Sequence, residues 1–402
     1  MEAKLTSELV KILSSHIDDE ELKELYVRYM TQTLAVKDAD PLINFDDLTE
    51  ELPYTDKVDL FKPSIHIGHR KLGLTEIRFL SRFADPSKEQ IVLYTGASPW
   101  TQGGLLMRLF PNIKFILVDP VRVNAKDLKV RTVMIDTNRS PSYQSAKREL
   151  LKIKESDEKV FAFQVLFGNN FAQAIHDVFP EIYFMSDIRT VSGPSEFPDS
   201  LDILWNMAQQ MNWMFIMKPA LSMLKFRHPY YEDNSAFNRL HRREPYRSEF
   251  ARAKANGIDF VTNQKNKKLI YLMGEIEIQP WAPKSSTESR LIVAHPFELF
   301  DYGHISDWEN KYFYYTAVAR AYGHYINPNA NLEIGFCNCN DCAVENYIWT
   351  QYLSKYETGF TVHDLVLILG QYVNRDFQGI PLHAHCYELK SLLLMARANN
   401  QK

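Results

Sequence analysis

Cysteine and long apolar segments are both scarce in this chain of 402 residues, which contains only four cysteines. Four thiols are too few for a disulfide framework in a chain of this length, so we expect a reducing, cytoplasmic compartment. No run reaches the roughly 18 apolar residues that a membrane helix requires. The first residues, MEAKLTSELVKILSSHIDDEE, are typical of a short amphipathic helix rather than a secretory leader. We therefore expect neither secretion nor a membrane span.

An excess of charge of one sign is also missing, since 46 basic and 50 acidic side chains give a formal charge of −4. Any contact with nucleic acid must therefore come from a local basic patch. Apolar residues are plentiful, at 45% of the chain with 13% aromatic residues. This content is sufficient for a full core and for more than one layered unit.

Short apolar segments alternate with amphipathic ones from about residue 61 onwards. Five continuous apolar segments predict strands of a sheet covered on both faces, namely IVLYTG, KFILVDP, VFAFQVLFG, IYFMSDI and MFIMKPA. Three amphipathic segments predict helices between them, namely LLMRLF, FAQAIHDVF and SLDILWNMAQQM. The alternation predicts an α/β fold with a mostly parallel central sheet flanked by helices.

The change of pattern along the chain predicts three domains. Residues 1–60 form an N-terminal arm, and residues 61–325 contain the sheet. Residues 326–402, where this rhythm breaks, form a small, mainly helical module that contains all four cysteines.

The turn after the first predicted strand, GASPWTQGG, predicts a ligand site. A strand, a tight turn and a helix N-terminus present backbone N–H groups to a ligand, and Gly96 permits close approach. Asp119 ends the next strand, about twenty residues downstream, where such folds bind a ribose diol. Trp100 replaces the usual second glycine, and its bulk favours a cofactor without phosphates. The alternative is an ordinary turn glycine and a strand-end aspartate.

Two amines and two carboxylates stand in four separated segments: Lys71 in GHRKLGLTE, Asp187 in FMSDIRT, Lys225 in MLKFRHP and Glu288 in STESRL. Asp187 ends an apolar strand, so we expect it at the carboxyl edge of the sheet with Lys225 beside it. Burial and a nearby cation favour a neutral lysine, so Lys225 would act as the general base for a hydroxyl beside a cationic methyl donor. Lys71 and Glu288 would orient that base. The alternative for Asp187 is a capping or salt-bridged aspartate, and the alternative for Lys71 and Glu288 is a solvated surface charge. Lys218 is a competing amine.

In this order the motifs resemble those of the poxvirus cap-specific mRNA 2′-O-methyltransferases, a family that also provides the small, processivity subunit of the viral poly(A) polymerase. The similarity runs from about His66 to Tyr315. HIGHRKLGLTEIRFLSRF resembles the segment with the first catalytic lysine, VLYTGASP the methyl-donor loop, and SDIR the segment with the catalytic aspartate. PALSMLKFRHPYYE resembles the stretch with the second catalytic lysine, and IQPWAPKSSTESRL the segment that ends in the catalytic glutamate.

The resemblance implies a Rossmann-like methyltransferase fold that uses S-adenosylmethionine, with Lys71, Asp187, Lys225 and Glu288 as catalytic residues. The expected reaction is methyl transfer to the 2′-hydroxyl of the first transcribed nucleotide of capped mRNA. The resemblance also implies a protein of a large DNA virus, located in the host cytoplasm or the virion, with a poly(A) polymerase catalytic subunit as partner. The candidate cofactor contacts are His69, Tyr94, Gly96, Pro99, Asp119, Arg122 and Asp187.

A cap pocket is implied by the same resemblance. Tyr230 and Glu232 follow Lys225, and Glu309 lies in DWENKYFYY. N7-methylguanine is flat and cationic, so aromatic faces stack on it and carboxylates accept hydrogen bonds from its edge. Tyr54 is the candidate for the opposite stacking face. The serine-rich KSS before Glu288 stands where the family has an aromatic cap residue.

The cysteines predict a structural zinc site in the tail. The candidate ligands are Cys337, Cys339 and Cys342 in CNCNDC, with Cys386 in HAHCYE. His383 or His385 is an alternative fourth ligand, and reduced, partly buried thiols are the alternative to any metal.

A basic segment, residues 237–257, contains Arg242, Arg243 and Arg247 at helix-like spacing. It predicts a contact with RNA phosphates, with a solvated helix face as the alternative. Two other functions stay open: a non-catalytic RNA-binding processivity subunit, which has no need of the four charged residues, and a methyltransferase for protein or uncapped rRNA, which has no need of the cap pocket.

Overall fold

The structure, a computed structural model, describes residues 33–43, 48–54, 68–125, 127–135, 139–190, 200–228, 268–283, 286–320, 324–331 and 334–373, together with Glu20, Glu24 and Pro198. The sequence-predicted residues outside this part are Tyr230, Glu232, Arg242, Arg243, Arg247, His383, His385 and Cys386. None of the helices in the described part is long and apolar enough to cross a membrane.

The described strands are β1 (Thr33–Ala35), β2 (Leu42–Ile43), β3 (Gln90–Thr95), β4 (Ile113–Val118), β5 (Arg131–Val133), β6 (Val160–Phe163), β7 (Tyr183–Ser186), β8 (Leu221–Phe226), β9 (Lys268–Leu272), β10 (Glu275–Ile278), β11 (Ser289–Ala294), β12 (Leu299–His304) and β13 (His324–Ile326). The described α-helices are α1 (Gly68–Phe83), α2 (Gly103–Leu109), α3 (Tyr143–Lys154), α4 (Asn169–Val178), α5 (Ser200–Met217), α6 (Ile305–Tyr314), α7 (Asn340–Lys355) and α8 (Val362–Val373). A 3₁₀ turn (Val36–Ala39) follows β1, and a π-helix (Tyr315–Ala319) follows α6.

The chain divides into two compact units. The first comprises Met1–Phe83, Ile278–Thr287 and Asn310–Lys402, and the second comprises Ala84–Glu277 and Glu288–Glu309. Helix α1 therefore belongs to the same unit as α7 and α8. The domain boundaries expected after residues 60 and 325 stay predictions.

A largely parallel sheet forms the centre of the second unit. Its strands follow one another in the order β11-β8-β7-β3-β4-β6-β5, with β10 beyond β11. All neighbours from β8 to β5 are parallel, and β11 is antiparallel to β8. β4 and β6 are buried along their whole lengths, as continuous apolarity indicates. The predicted mixed α/β fold with a mostly parallel central sheet is confirmed.

The order of strands reverses at β3. The chain runs from β3 to its neighbour β4 on one side and later returns to β7 on the other side. Thr95 pairs with Ser186 at the carboxyl ends of β3 and β7, and the N–H of Asp187 donates to the Thr95 carbonyl at 3.0 Å. Because ligands of open α/β sheets bind at such a switch point, this edge is the expected site.

One predicted strand is wrong. MFIMKPA contains the last turn of α5, and the strand that follows is β8, which carries Lys225 itself. Continuous apolarity is the same in a buried helix as in a buried strand, so this pattern could not separate the two. Lys218 ends the helix with a left-handed φ of 51° and is exposed. It precedes β8, at the opposite edge of the sheet from Asp187. The three predicted helices are confirmed as α2, α4 and α5.

The first unit is built around α1. This helix buries Leu74, Ile77 and Leu80 at helical spacing, contacts α7 and α8, and ends shortly before Pro86. In the same unit β1 pairs in parallel with β13, and the N–H of Ile278 donates to the Pro41 carbonyl at 2.8 Å.

Candidate active site

Three of the four predicted catalytic residues meet in the second unit. Lys225 Nζ lies 3.1 Å from Asp187 Oδ1 and 3.3 Å from Glu288 Oε2. Each of these side chains is about one-fifth exposed, at 18 to 20%. The amine is therefore accessible to a substrate while two carboxylates fix its position.

Arg290 completes this cluster and was missed in the sequence. Its guanidinium lies 2.7 Å from Asp187 Oδ1 and 3.5 Å from Glu288 Oε1, and its side chain is only 1% exposed. It pairs with Lys225 in the antiparallel register of β11 and β8. The sequence signal was available, because positions 288 and 290 lie two residues apart and share one face of an extended chain.

The backbone of Lys225 is held by a side chain from α5. Gln210 Nε2 donates to the Lys225 carbonyl at 2.9 Å, and the Lys225 N–H donates to Gln210 Oε1 at 3.2 Å. Gln210 is 1% exposed, so its amide satisfies groups that water does not reach. This contact fixes the segment of β8 from which the Lys225 side chain extends.

Gly96 is required for the approach of β3 to Asp187. It adopts a left-handed φ of 73°, and a Cβ there would lie 2.7 Å from both Asp187 C and Ile188 N. A side chain at Gly96 would therefore displace the backbone that presents Asp187. The neighbour that requires this glycine is protein backbone, which the sequence did not indicate.

Asp119 joins the loops that follow β3 and β4. Its Oδ2 accepts from the Ser98 N–H at 3.0 Å, and its Oδ1 accepts from the Val121 N–H at 2.7 Å. Burial raises the pKa of the Asp119 carboxyl, the two N–H groups oppose this, and the Asp187 carboxylate adds to the increase. Since a carboxylate oxygen accepts more than one hydrogen bond, Asp119 keeps capacity for a ligand hydroxyl.

The other candidate cofactor contacts lie in different surroundings. Tyr94 in β3 is buried, whereas Pro99 and Arg122 are exposed. Ser98 Oγ donates to the Arg122 carbonyl at 3.0 Å, so this loop is tied to the one that carries Arg122. His69 is exposed on α1, in the first unit.

Trp100 does not crowd the ligand turn, although its size predicted that it would. It adopts a left-handed φ of 53°, and its side chain is 2% exposed. Its ring lies 5.1 Å from that of Phe115, and a Cβ on Gly103 would come within 2.3 Å of the indole. The backbone here is glycine-like, while the indole packs in the core beside Gly103.

Lys71 belongs to the first unit, on α1, where its side chain is half-buried. Its approach to the other three residues stays a prediction. The preceding residue, Arg70, is fully buried and forms a two-pronged ion pair with Glu345 of α7, with Nε 2.9 Å from Oε2. The Glu345 carboxylate also accepts from the indoles of Trp281 and Trp349, at 2.9 and 3.2 Å. This network fixes the start of α1.

The candidate cap residues in the described part lie on or beside α6. Glu309 is 9% exposed in the second unit. In the first unit, the N–H of Tyr54 donates to Asn310 Oδ1 at 3.2 Å, and its ring lies 5.3 Å from that of Phe313. Tyr54 therefore contacts the part of α6 that belongs to the first unit.

His228 lies in a buried aromatic cluster just before the segment that carries Tyr230. Its ring stacks on Trp308 at 4.6 Å, with Phe226 and Tyr302 at its edges. Its Nε2 has no hydrogen-bond partner among the described residues. Burial lowers the pKa of His228 to about 3. The imidazole is therefore neutral in the folded protein at physiological pH.

We expect His228→Phe to remove a pH dependence of stability. The unfolded chain takes up a proton near the ordinary histidine pKa of about 6.5, whereas the folded protein does so only near 3. Stability contributed by the neutral ring is present above pH 6.5 and is lost as pH falls towards 3, by about 2 kcal/mol at pH 5. Urea unfolding at pH 7.5 and pH 5 should show a smaller loss for His228→Phe than for wild type. His295→Gln, which changes an exposed histidine, should lose as much stability as wild type between these pH values. An equal loss in all three proteins would contradict the buried, neutral state assigned to His228.

Three cysteines meet in the first unit. The sulfurs of Cys337, Cys339 and Cys342 all lie within 4.8 Å of one another, which is a set that could hold a metal ion. Cys386, the predicted fourth ligand, lies outside the described residues.

Comparisons with known proteins agree with the resemblance. The family described as poly(A) polymerase regulatory subunit matches residues 38–240, a range that contains Lys71, Asp187 and Lys225. Two relatives are named cap-specific mRNA (nucleoside-2′-O-)-methyltransferase, from Myxoma virus strains Lausanne and Uriarra. Each is 23% identical over 298 residues, which is 70% of this chain and 70% of the relative. The distant relatives of this chain are thus methyltransferases.

Proposed function

The chain belongs to the poly(A) polymerase regulatory subunit family, and from this premise we propose that it is a cap-specific mRNA 2′-O-methyltransferase. It transfers the methyl group of S-adenosylmethionine to the ribose 2′-hydroxyl of the first transcribed nucleotide, converting cap 0 to cap 1. Its fold is the Rossmann-like methyltransferase fold.

The observation that carries this proposal is a single amine held by two carboxylates at the switch point of the sheet. Lys225 lies 3.1 Å from Asp187 and 3.3 Å from Glu288. A binding surface for RNA has no need of two acids around its lysine, because they cancel the charge that attracts phosphate. Proton transfer does need an amine in a fixed position.

The cofactor residues fit a cationic ligand without phosphates. Carboxylates stand after both strands that flank β3, Asp119 after β4 and Asp187 after β7, and the Asp187 carboxylate raises the cost of charging Asp119. A positive ligand at this edge relieves that repulsion. When bound, S-adenosylmethionine supplies an electrophilic methyl group on a positively charged sulfur.

The residues of the chain then act on the acceptor hydroxyl. Lys225 Nζ would accept the 2′-hydroxyl proton as the oxygen bonds to the methyl carbon and the bond from that carbon to the donor sulfur breaks, which releases S-adenosylhomocysteine. Asp187 and Glu288 orient Nζ, and Arg290 holds both carboxylates. Lys71 is proposed as a further catalytic residue, because its segment resembles the one that contains the family's first catalytic lysine.

Two further groups of residues are proposed to bind the capped RNA, one at the cap and one along the transcript. Tyr54, Tyr230, Glu232 and Glu309 bind the methylated guanine of the cap, and Arg242, Arg243 and Arg247 bind the phosphates of the transcript. Stacking and carboxylate acceptance suit a cationic base. Both assignments rest on the sequence resemblance and on residue chemistry.

Methyl transfer to a panel of short RNAs tests the proposed reaction. We expect capped RNA to be methylated at least about 100-fold faster than uncapped RNA, because the cap places the first ribose at the reacting edge. Nuclease digestion of the product should locate the methyl group on the first nucleotide, as a 2′-O-methylribose. Equal rates on capped and uncapped RNA, or a methyl group on a base, would contradict the proposal.

The family match favours a second role alongside the first. Because the family is described by its poly(A) polymerase regulatory subunits, we propose a poly(A) polymerase catalytic subunit as a binding partner. We expect Lys225→Met to stimulate tail elongation by that subunit as well as wild type does. This result would separate the second role from methyl transfer.

A further inference from the structure

The three clustered cysteines have the dimensions of one face of a metal-thiolate site. The sulfurs of Cys337 and Cys342 are 3.9 Å apart, and all three cysteines are free thiols. A tetrahedral zinc site with Zn–S bonds of about 2.3 Å has S–S edges of about 3.8 Å. A disulfide would need about 2.05 Å, so this spacing suits a shared ion better.

Backbone N–H groups are directed at two of these sulfurs. The N–H of Cys339 donates to Cys337 Sγ at 3.4 Å, and the N–H of Cys337 donates to Cys342 Sγ at 3.3 Å. Such donors stabilise charge on sulfur and orient metal ligands. A pair of small buried thiols that only fill space would not require them.

The cysteines also surround the first turn of α7. Cys339 is the N-cap residue of this helix, and Cys342 lies in its first turn. Cys337 and Cys342 are 5% and 0% exposed, so charge on them requires a bound cation rather than water.

We propose that Cys337, Cys339 and Cys342 bind one Zn²⁺ ion and that this ion fixes the start of α7. The proposal rests on the spacing of the three sulfurs and on the backbone donors to two of them.

A consequence of this site reaches the helix that carries Lys71. Glu345 follows Cys342 by one helical turn and holds Arg70 through the buried ion pair. Arg70 precedes Lys71 in α1. Zinc therefore stabilises the position of α1 by stabilising α7, entirely within the first unit. This effect is independent of the proposed methyl transfer.

Metal analysis of the full chain tests the site directly. Untagged protein purified with a thiol reductant should contain about one zinc ion per chain. Cys339→Ser should lose it, since Cys339 is the least buried of these three cysteines and its replacement disturbs packing least. Thr350→Ser, an exposed position on the same helix, should retain zinc and controls for adventitious binding.

Two further measurements use wild-type protein and therefore do not depend on whether a variant folds. Wild-type protein reconstituted with Co²⁺ should show thiolate-to-metal absorption and tetrahedral ligand-field bands. Removal of zinc from wild type with a chelator should speed amide exchange in residues 337–355 and also in residues 68–83. Zinc at the level of the buffer blank in reduced wild type, or full zinc in Cys339→Ser, would overturn the site.

Discussion

Lys225→Met is expected to reduce methyl transfer to capped RNA by at least about 100-fold, the usual contribution of a general base. Methionine keeps the length and apolar stem of lysine but cannot accept a proton. Arg290 still holds Asp187 and Glu288, at 2.7 and 3.5 Å, so the two carboxylates are not left unpaired. Single-turnover rates with saturating donor and RNA measure the effect on the chemical step.

A matched control separates loss of the base from loss of positive charge. Lys218→Met removes a lysine that is exposed at the opposite edge of the sheet, and it should leave the rate within about twofold, as expected for a surface change. Affinities of Lys225→Met for S-adenosylhomocysteine and for capped RNA should stay within about threefold of wild type, because proton transfer contributes to the transition state only. A Lys225→Met rate close to wild type would remove Lys225 as the base.

Arg70→Met is expected to lower the free energy of unfolding by about 3–5 kcal/mol, the usual cost of leaving one charge of a buried pair without its partner. Both side chains of the Arg70–Glu345 pair are fully buried. Among the described residues, the remaining carboxylate would keep the indole N–H groups of Trp281 and Trp349 as donors to its charge. Urea unfolding followed by tryptophan fluorescence measures the loss, since both indoles contact Glu345.

Neutralising the partner should recover part of this loss. In Arg70→Met/Glu345→Gln neither member of the pair is charged, and the amide oxygen still accepts from an indole, so the double variant should be more stable than Arg70→Met. Arg148→Met is the exposed control, because Arg148 is 69% exposed in its pair with Glu149. It should change stability by less than about 0.5 kcal/mol. Equal effects of Arg70→Met and Arg148→Met would show that the buried pair does not stabilise the first unit.

The candidate site could be predicted in part because its residues end apolar segments. Asp187 follows β7 directly, and the alternation of segments indicated that this end faces the ligand edge. Arg290 was missed because its sequence signal, the two-residue spacing from Glu288, does not show which residue of another strand lies opposite it. Its role follows from the antiparallel register that places it opposite Lys225. The Gln210 contact to the Lys225 backbone depends likewise on where α5 packs against β8.

Two residues of the turn after β3 matter for a different reason than the sequence predicted. Trp100 was expected to crowd the ligand turn, but its left-handed backbone turns the indole into the core beside Gly103. Gly96 was expected to admit a ligand, and the structure shows that it admits the backbone of Asp187. In both cases the sequence identifies an unusual residue, while the neighbour that requires it comes from another segment.

The sequence by itself determined the local properties of this protein: the apolar segments that become strands and helices, the charged residues available for chemistry, and the clustering of cysteines in the tail. Each depends on residues close together along the chain, where periodicity and composition are decisive. Only the tertiary structure decided that β7 lies beside β3, that Lys225 and Arg290 share two carboxylates, and that Arg70 is paired with Glu345. These contacts join residues far apart in sequence, and strand order, register and helix packing select them.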